Sequence, residues 1–383
     1  MFSNRAGSHI RCQDETFSKY DYYTFSPTPI CEISIKFDDE LCSLLSNAQR
    51  LLGLLEGSCR HISGIENINT LIMKKEASTS CIIDDTIKFS YLDLFIPLKH
   101  KADKIAPVLN CIKALEHGIG ELNRMQLTNK VIFSAHEILM AHKRDLELIG
   151  DVRKKQIIIG DNIVSVSGMP TYNPPESGEL IVGMLDIQKF IGRIDTMDIL
   201  IKAALLHYQL EVVHPFESGN GKIGRILTLM YLFKTGILTN GFLPISEFFE
   251  AHKIEYFDRI KAVHNLGEYE QWIKFFLKAL IVSANTSLKR IENILQLREE
   301  NSEKIKANIS SARDEKYLLE AYKYTEKNVA FNVSSLADGL GISYNTAAKI
   351  VQIFTDLGIL KLDKKRSKFY LYNDFLKANE III

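Results

Sequence analysis

His214-Pro215-Phe216-Glu217-Ser218-Gly219-Asn220-Gly221-Lys222-Ile223-Gly224-Arg225 joins a titratable imidazole to a glycine-rich turn and then to two basic side chains. Two glycines flank Asn220, so the backbone there can bend tightly and bring N–H groups close to an anion. The run that follows, Ile226-Leu227-Thr228-Leu229-Met230-Tyr231-Leu232, is apolar and predicts a buried helix. A glycine-rich turn opening a helix aims free N–H groups, and the positive end of the dipole, at a bound phosphate. Lys222 and Arg225 are three apart and share a face of that helix's first turn. The dipole disfavours cations there, and a bound polyanion would justify them. The plainer reading is an ordinary helix N-terminus preceded by a loop histidine.

The segment resembles the signature of the Fic family, His-Pro-Phe-x-(Asp/Glu)-Gly-Asn-Gly-(Arg/Lys)-x-x-Arg. Most Fic proteins move AMP from ATP onto a Ser, Thr or Tyr hydroxyl of a protein and release pyrophosphate. The resemblance makes His214 the general base, a role worth about 10²–10⁴-fold in rate. It makes Gly219, Asn220 and Gly221 the anion hole around the α- and β-phosphates. Lys222 would contact phosphate as a point charge and Arg225 would hold the γ-phosphate, with Gly224 beside them in the nucleotide site. Phe216 would anchor the loop and Pro215 stiffen it. The expected ligands are ATP with Mg²⁺ or Mn²⁺. Ser218 stands where the family carries a metal-holding Asp or Glu. A neutral hydroxyl is a poorer Mg²⁺ ligand than a carboxylate, and Glu217 next door falls at a variable position.

Lys75-Glu76-Ala77-Ser78-Thr79-Ser80-Cys81-Ile82-Ile83-Asp84-Asp85-Thr86 resembles the inhibitory segment of Fic proteins, (Ser/Thr)-x-x-x-Glu-(Gly/Asn). Ser80 fits its first position. Asp84 stands for the inhibitory Glu and Asp85 for the Gly. By this likeness Asp84 restrains Arg225, one methylene short of the usual side chain. A decoy at Gly64-Ile65-Glu66-Asn67 has Ile62 where Ser or Thr belongs. Gln156 to Ser167 brackets Gly160-Asp161-Asn162 with β-branched residues and reads as a hairpin. In the family such a flap, here Ile157, Ile158, Ile159 and Gly160, docks the target by strand addition.

Composition sets outer bounds. The chain has 383 residues, 46% apolar and 25% charged, with zero formal net charge. That suits two or three globular domains and gives no global attraction to nucleic acid or membranes. The six cysteines, Cys12, Cys31, Cys42, Cys59, Cys81 and Cys111, form no Cys-x-x-Cys pair, so neither a zinc knuckle nor a disulfide framework is suggested. The start lacks the basic and apolar regions of a signal peptide, and no stretch approaches the ~20 apolar residues of a membrane helix. A cytoplasmic protein with reduced thiols is expected. Family habit adds a homodimer.

The expected fold is mainly α: a Fic-type helical core with a small β-hairpin flap, plus a C-terminal winged helix-turn-helix. Residues 1–104 would form an irregular N-terminal arm and a helical regulatory segment, 105–283 the catalytic core, 284–314 a helical linker and 315–383 the winged helix. Apolar spacing predicts helices over Asp38–Leu55, Asn67 to near Ser80, Ala106–Leu122, Leu127–Ala141, Val182–Ile191, Asp198–Val212 and Tyr269–Val282. His207 and Trp272 read as core. From Val333 to Lys349 the sequence reads as two helices around Gly341, with Ser343 as cap. Lys361 to Tyr372 reads as a wing with a basic tip, able to meet DNA phosphates or to dock protein. Two functions follow: an adenylyltransferase acting on a protein hydroxyl, or a nucleotide-sensing DNA-binding regulator.

Overall fold

The computed structural model describes residues 4–12, 22–85, 89–96, 102–143, 148–157, 173–309, 312–363 and 368–381. The expected flap residues Ile158, Ile159 and Gly160 and the expected wing tip at 364–367 lie outside these ranges. The chain is mainly helical and divides into two compact units. One comprises Met1–Arg60, Glu76–Ile87 and Ala106–Ala284; the other His61–Lys75, Lys88–Ile105 and Asn285–Ile383.

The first unit opens with an antiparallel ribbon of β1 (Gly7–Cys12) and β2 (Tyr22–Pro27), where an irregular arm was expected. Tyr22, Thr24 and Phe25 are buried while Tyr23 is exposed, so aromatic and β-branched side chains line an inner face. Asn173 fastens the ribbon: its carbonyl accepts from Phe25 N–H at 2.8 Å and its Nδ2 donates to the Tyr23 carbonyl at 2.9 Å. Helix α1 (Asp39–Cys59) is capped by Asp38, which accepts from Leu41 N–H. Its buried Glu56 accepts from the backbone N–H groups of Thr239 and Asn240 at 2.8 Å each.

Helix α2 (Ile65–Asp84) runs through Ser80 to Asp84, four residues beyond its expected end. Helices α3 (Ala102–Leu122), α4 (Asn129–Met140) and α5 (Ser177–Gly192) follow. They surround a hairpin of α6 (Ile199–Val213) and α7 (Asn220–Lys234). α6 is apolar all round and almost wholly buried, as a central helix must be. Asp198 caps it, accepting from Leu200 N–H at 2.8 Å. Trp272 is fully buried and donates from Nε1 to the Ala204 carbonyl, closing the core over α6. Helices α8 (Ile245–Ala251), α9 (Lys253–Leu266) and α10 (Tyr269–Lys306) follow. α10 is one continuous helix, so the expected linker over 284–314 begins inside it.

In the second unit α11 (Ala312–Lys327), α12 (Val333–Leu340) and α13 (Tyr344–Asp356) accompany a three-stranded antiparallel sheet. β3 (Ala330–Phe331) and β4 (Lys361–Leu362) pair on either side of β5 (Tyr370–Leu371). α12 starts on an Asn332–Ser335 capping box and stops at Gly341 with φ 64°. Ser343 caps α13, accepting from Thr346 N–H. α14 (Asn373–Ala378) ends the unit. Among the described residues no helix is long and apolar enough to cross a membrane.

Candidate active site

The turn between α6 and α7 carries His214 to Gly219. His214 is the C-cap of α6 in the left-handed region (φ 48°, ψ 58°), a conformation that costs a non-glycine residue energy and concentrates at functional positions. Its Nδ1 lies 3.2 Å from the Glu211 carbonyl. A carbonyl only accepts, so Nδ1 carries the proton and Nε2 keeps its lone pair. Burial pulls the imidazole down to about 4, with the Glu211 carbonyl opposing, so His214 is neutral at pH 7.

Three side chains hold the loop. Asn220 accepts from Phe216 N–H at 2.9 Å and donates to the Phe216 carbonyl at 2.8 Å. Its side-chain amide therefore closes the turn. Phe216 is buried and stacks on His136 at 3.8 Å. Gly150 N–H donates to His136 Nδ1 at 3.0 Å, which fixes the tautomer, and Nε2 then donates to the Ser218 carbonyl at 2.9 Å. Buried Arg153 donates from Nε to the His214 carbonyl at 3.0 Å and from Nη2 to the Pro175 carbonyl at 2.6 Å. The sequence reading missed both His136 and Arg153. Neither belongs to the signature segment, and only the fold brings them to it.

Gly219 precedes α7 with φ 83°, which suits only glycine. A side chain at Gly221 would come within 3.1 Å of Asp84 Oδ1 and 3.2 Å of Arg225 Nη1. Glycine is thus what lets the carboxylate and guanidinium approach the helix start. A side chain at Gly224 would meet Glu211 Oε1 at 3.1 Å. Burial pushes Glu211 up to about 7.

The structure brings Ser80, Asp84 and Arg225 together. Arg225 Nε donates to Ser80 Oγ at 2.8 Å, and Nη2 donates to the Ser80 carbonyl at 2.9 Å and to Asp84 Oδ2 at 2.7 Å. Nη1 is buried with no partner among the described residues. Burial is the largest single effect and works against the Arg225 charge, but Asp84, Tyr256 and Glu211 together outweigh it and the pKa rises. Buried Lys222 pairs with Asp85 at 2.7 Å and lies 3.9 Å from Asp84. Its pKa also rises, because desolvation, the largest single effect, is outweighed by the two aspartates together with Cys81. Asp85 is thus a second acidic contact that the sequence reading assigned to no cation.

The residues at position 218 and around it do not fit a protein-held divalent cation. Ser218 offers one neutral hydroxyl, and the described residues include no cluster of three His, Cys, Asp or Glu side chains able to hold a metal. Of the expected flap, Ile157 is described, its carbonyl accepting from Gln156 Nε2 at 3.2 Å.

Residues 126–232 match the model of the Fic/DOC family. Over 117 residues the chain is 30% identical to the Protein adenylyltransferase Fic of Drosophila erecta, covering 30% of this chain and 21% of that protein. Over 173 residues it is 24% identical to the protein of the same name from Culex quinquefasciatus, covering 43% of this chain and 31% of that one. The chain therefore spans about a fifth to a third of the length of these relatives. A crystal structure of a Fic family protein from Desulfovibrio desulfuricans has a similar fold, with a TM-score of 0.55 at 15% identity over 88% of this chain and 97% of that one.

Proposed function

This chain belongs to the Fic/DOC family through residues 126–232, and from that premise we propose that it transfers AMP from ATP to a hydroxyl of a protein, under restraint by Asp84. The observation that carries the reading is Arg225. A buried guanidinium at the start of a helix, with one nitrogen unpartnered and the rest held by Ser80 and Asp84, is a phosphate site held by a substitute anion. His214 Nε2 takes the proton of the incoming Ser, Thr or Tyr hydroxyl. The hydroxyl oxygen bonds to the α-phosphorus, the bond from that phosphorus to the bridging oxygen breaks, and pyrophosphate leaves. Lys222, Arg225 and the N–H groups at the start of α7 offset the charge gathering on the phosphates. No step is routed through a metal, since Ser218 removes the carboxylate that would hold one.

The test is labelling with α-³²P-ATP in the wild type, Asp84→Gly and His214→Ala. The reading expects more label in Asp84→Gly and none in His214→Ala. Label retained in His214→Ala overturns it.

A second reading rests on α13, where Tyr344, Asn345 and Lys349 are exposed. That face suits a nucleotide-sensing regulator that reads DNA. ATP-modulated binding to a duplex, with no label in any variant, would favour it. Failure to bind DNA at low salt removes it.

A further inference from the structure

A cavity of about 190 Å³ lies in the first unit, between the N-terminal arm and helices α5 and α6. An enclosed space of about 150 Å³ already holds a benzene-sized molecule. Pro27, Pro29, Pro175 and Val213 form apolar walls. The polar lining is Ser26 and three acceptor-bearing side chains. Glu179 and Asp186 stand two turns apart on one face of α5, and Gln209 enters from α6. Gln209 is 1% exposed. Its Nε2 donates to the Thr28 carbonyl at 3.2 Å, which fixes the amide's orientation. Its Oε1 is left buried and without a partner among the described residues, and Glu179 Oε2 is in the same condition. Asp186 Oδ2 accepts from Ile30 N–H at 2.7 Å, and burial raises this carboxyl's pKa. No Lys, Arg or His is among the residues that line the cavity.

A buried acceptor left unpaired is costly, and more so when charged. Two buried acceptors without a donor, Gln209 Oε1 and Glu179 Oε2, beside the Asp186 carboxyl and with no cationic side chain in the lining, call for a donor-rich cation. We propose that this cavity is a binding site for an alkylammonium or guanidinium group. The ammonium has three donors and the guanidinium five, and either chain's methylenes suit the proline and valine walls. Two sources share this chemistry: a Lys or Arg side chain of a protein substrate, and a free polyamine. The first rests on the transferase reading. It gains from the setting, because Val213 adjoins His214 and Pro175 is tied to His214 through Arg153.

The test uses the full chain without nucleotide, so its outcome is independent of AMP transfer. Methyl resonances of Val182 and Val213 are followed while the N-acetyl amides of arginine, lysine and norleucine, and spermidine, are titrated in turn. Saturable shifts with arginine or lysine amide, at least tenfold weaker with norleucine amide and at least tenfold weaker in Glu179→Gln, are expected. Gln209→Leu, checked for an unchanged melting temperature, should weaken binding likewise. Spermidine binding at least tenfold tighter than both amides assigns the site to free polyamines, and the reverse order to a protein side chain. No saturable shift, an equal response to norleucine amide, or full binding in Glu179→Gln overturns the proposal.

Discussion

Arg225 concentrates the site's chemistry in one side chain. Its fork has five donors, and the direction of each is set by the plane of the group. Ser80 and Asp84 take Nε and Nη2, while Nη1 stays open beside the Gly221 backbone. Asp84→Gly should therefore cost about 1–3 kcal/mol of stability by unpairing a buried cation. Added ATP should restore part of it, since a ligand of the folded state stabilises by mass action. Urea denaturation with and without ATP checks this, and no recovery would detach Asp84 from the nucleotide site. Asp85 is half-exposed, so its pair with Lys222 is worth at most about 1 kcal/mol. Asp85→Asn should lower the ATP concentration for half-maximal labelling by up to about fivefold, an effect that shrinks as salt rises.

The α6–α7 turn works because neighbouring elements grip it from outside. α4 contributes His136, whose ring bridges Gly150 N–H and the Ser218 carbonyl and lies flat on Phe216. Removing that ring strands a part-buried donor and a part-buried acceptor. His136→Ala should cost about 2–6 kcal/mol, from two unpaired groups at about 1–3 each before lost stacking is added, and should weaken ATP binding at least tenfold as the loop loosens. Calorimetry and nucleotide titration read the two effects separately. A variant with normal ATP affinity would show that Asn220 and Arg153 hold the loop alone.

At the scale of the molecule, buried ionisable groups set the response to pH. Burial holds His136, His214 and His264 at about 4 and His207 at about 3. The unfolded chain binds these protons near pH 6.5 and the native chain only far below, so the histidines add stability that is lost as pH falls through 6.5. Glu76 and Glu211, pushed up to about 7 by burial, act the other way: the native state holds their protons while the unfolded chain releases them above about 4.5. Between about pH 4.5 and 6.5, among these most strongly displaced groups, four oppose two. The net of two protons predicts stability rising by roughly 3 kcal/mol per pH unit. Urea midpoints across that window check it, and a flat profile would mean that the glutamates or other groups cancel the histidines.

Local chemistry made much of this protein legible in its sequence. The order of imidazole, glycine turn and cations predicted the turn that opens α7. The all-apolar run after Arg225 predicted a buried α7, and Ser80 with Asp84 could be matched to Arg225 through the likeness to the family's inhibitory segment. Other features depended on contacts between distant segments. Asp85 on Lys222, His136 on Ser218 and Arg153 on His214 join residues 61 to 137 positions apart. No spacing rule encodes such pairs, since each exists only once separate helices pack. The β1–β2 ribbon was missed for a similar reason: strands so short take their stability from the faces they cover. The cavity under Pro27 and Pro29 likewise exists only because the arm closes over α5 and α6. Residue order determined the reactive loop, and long-range packing decided what holds it and what lies beside it.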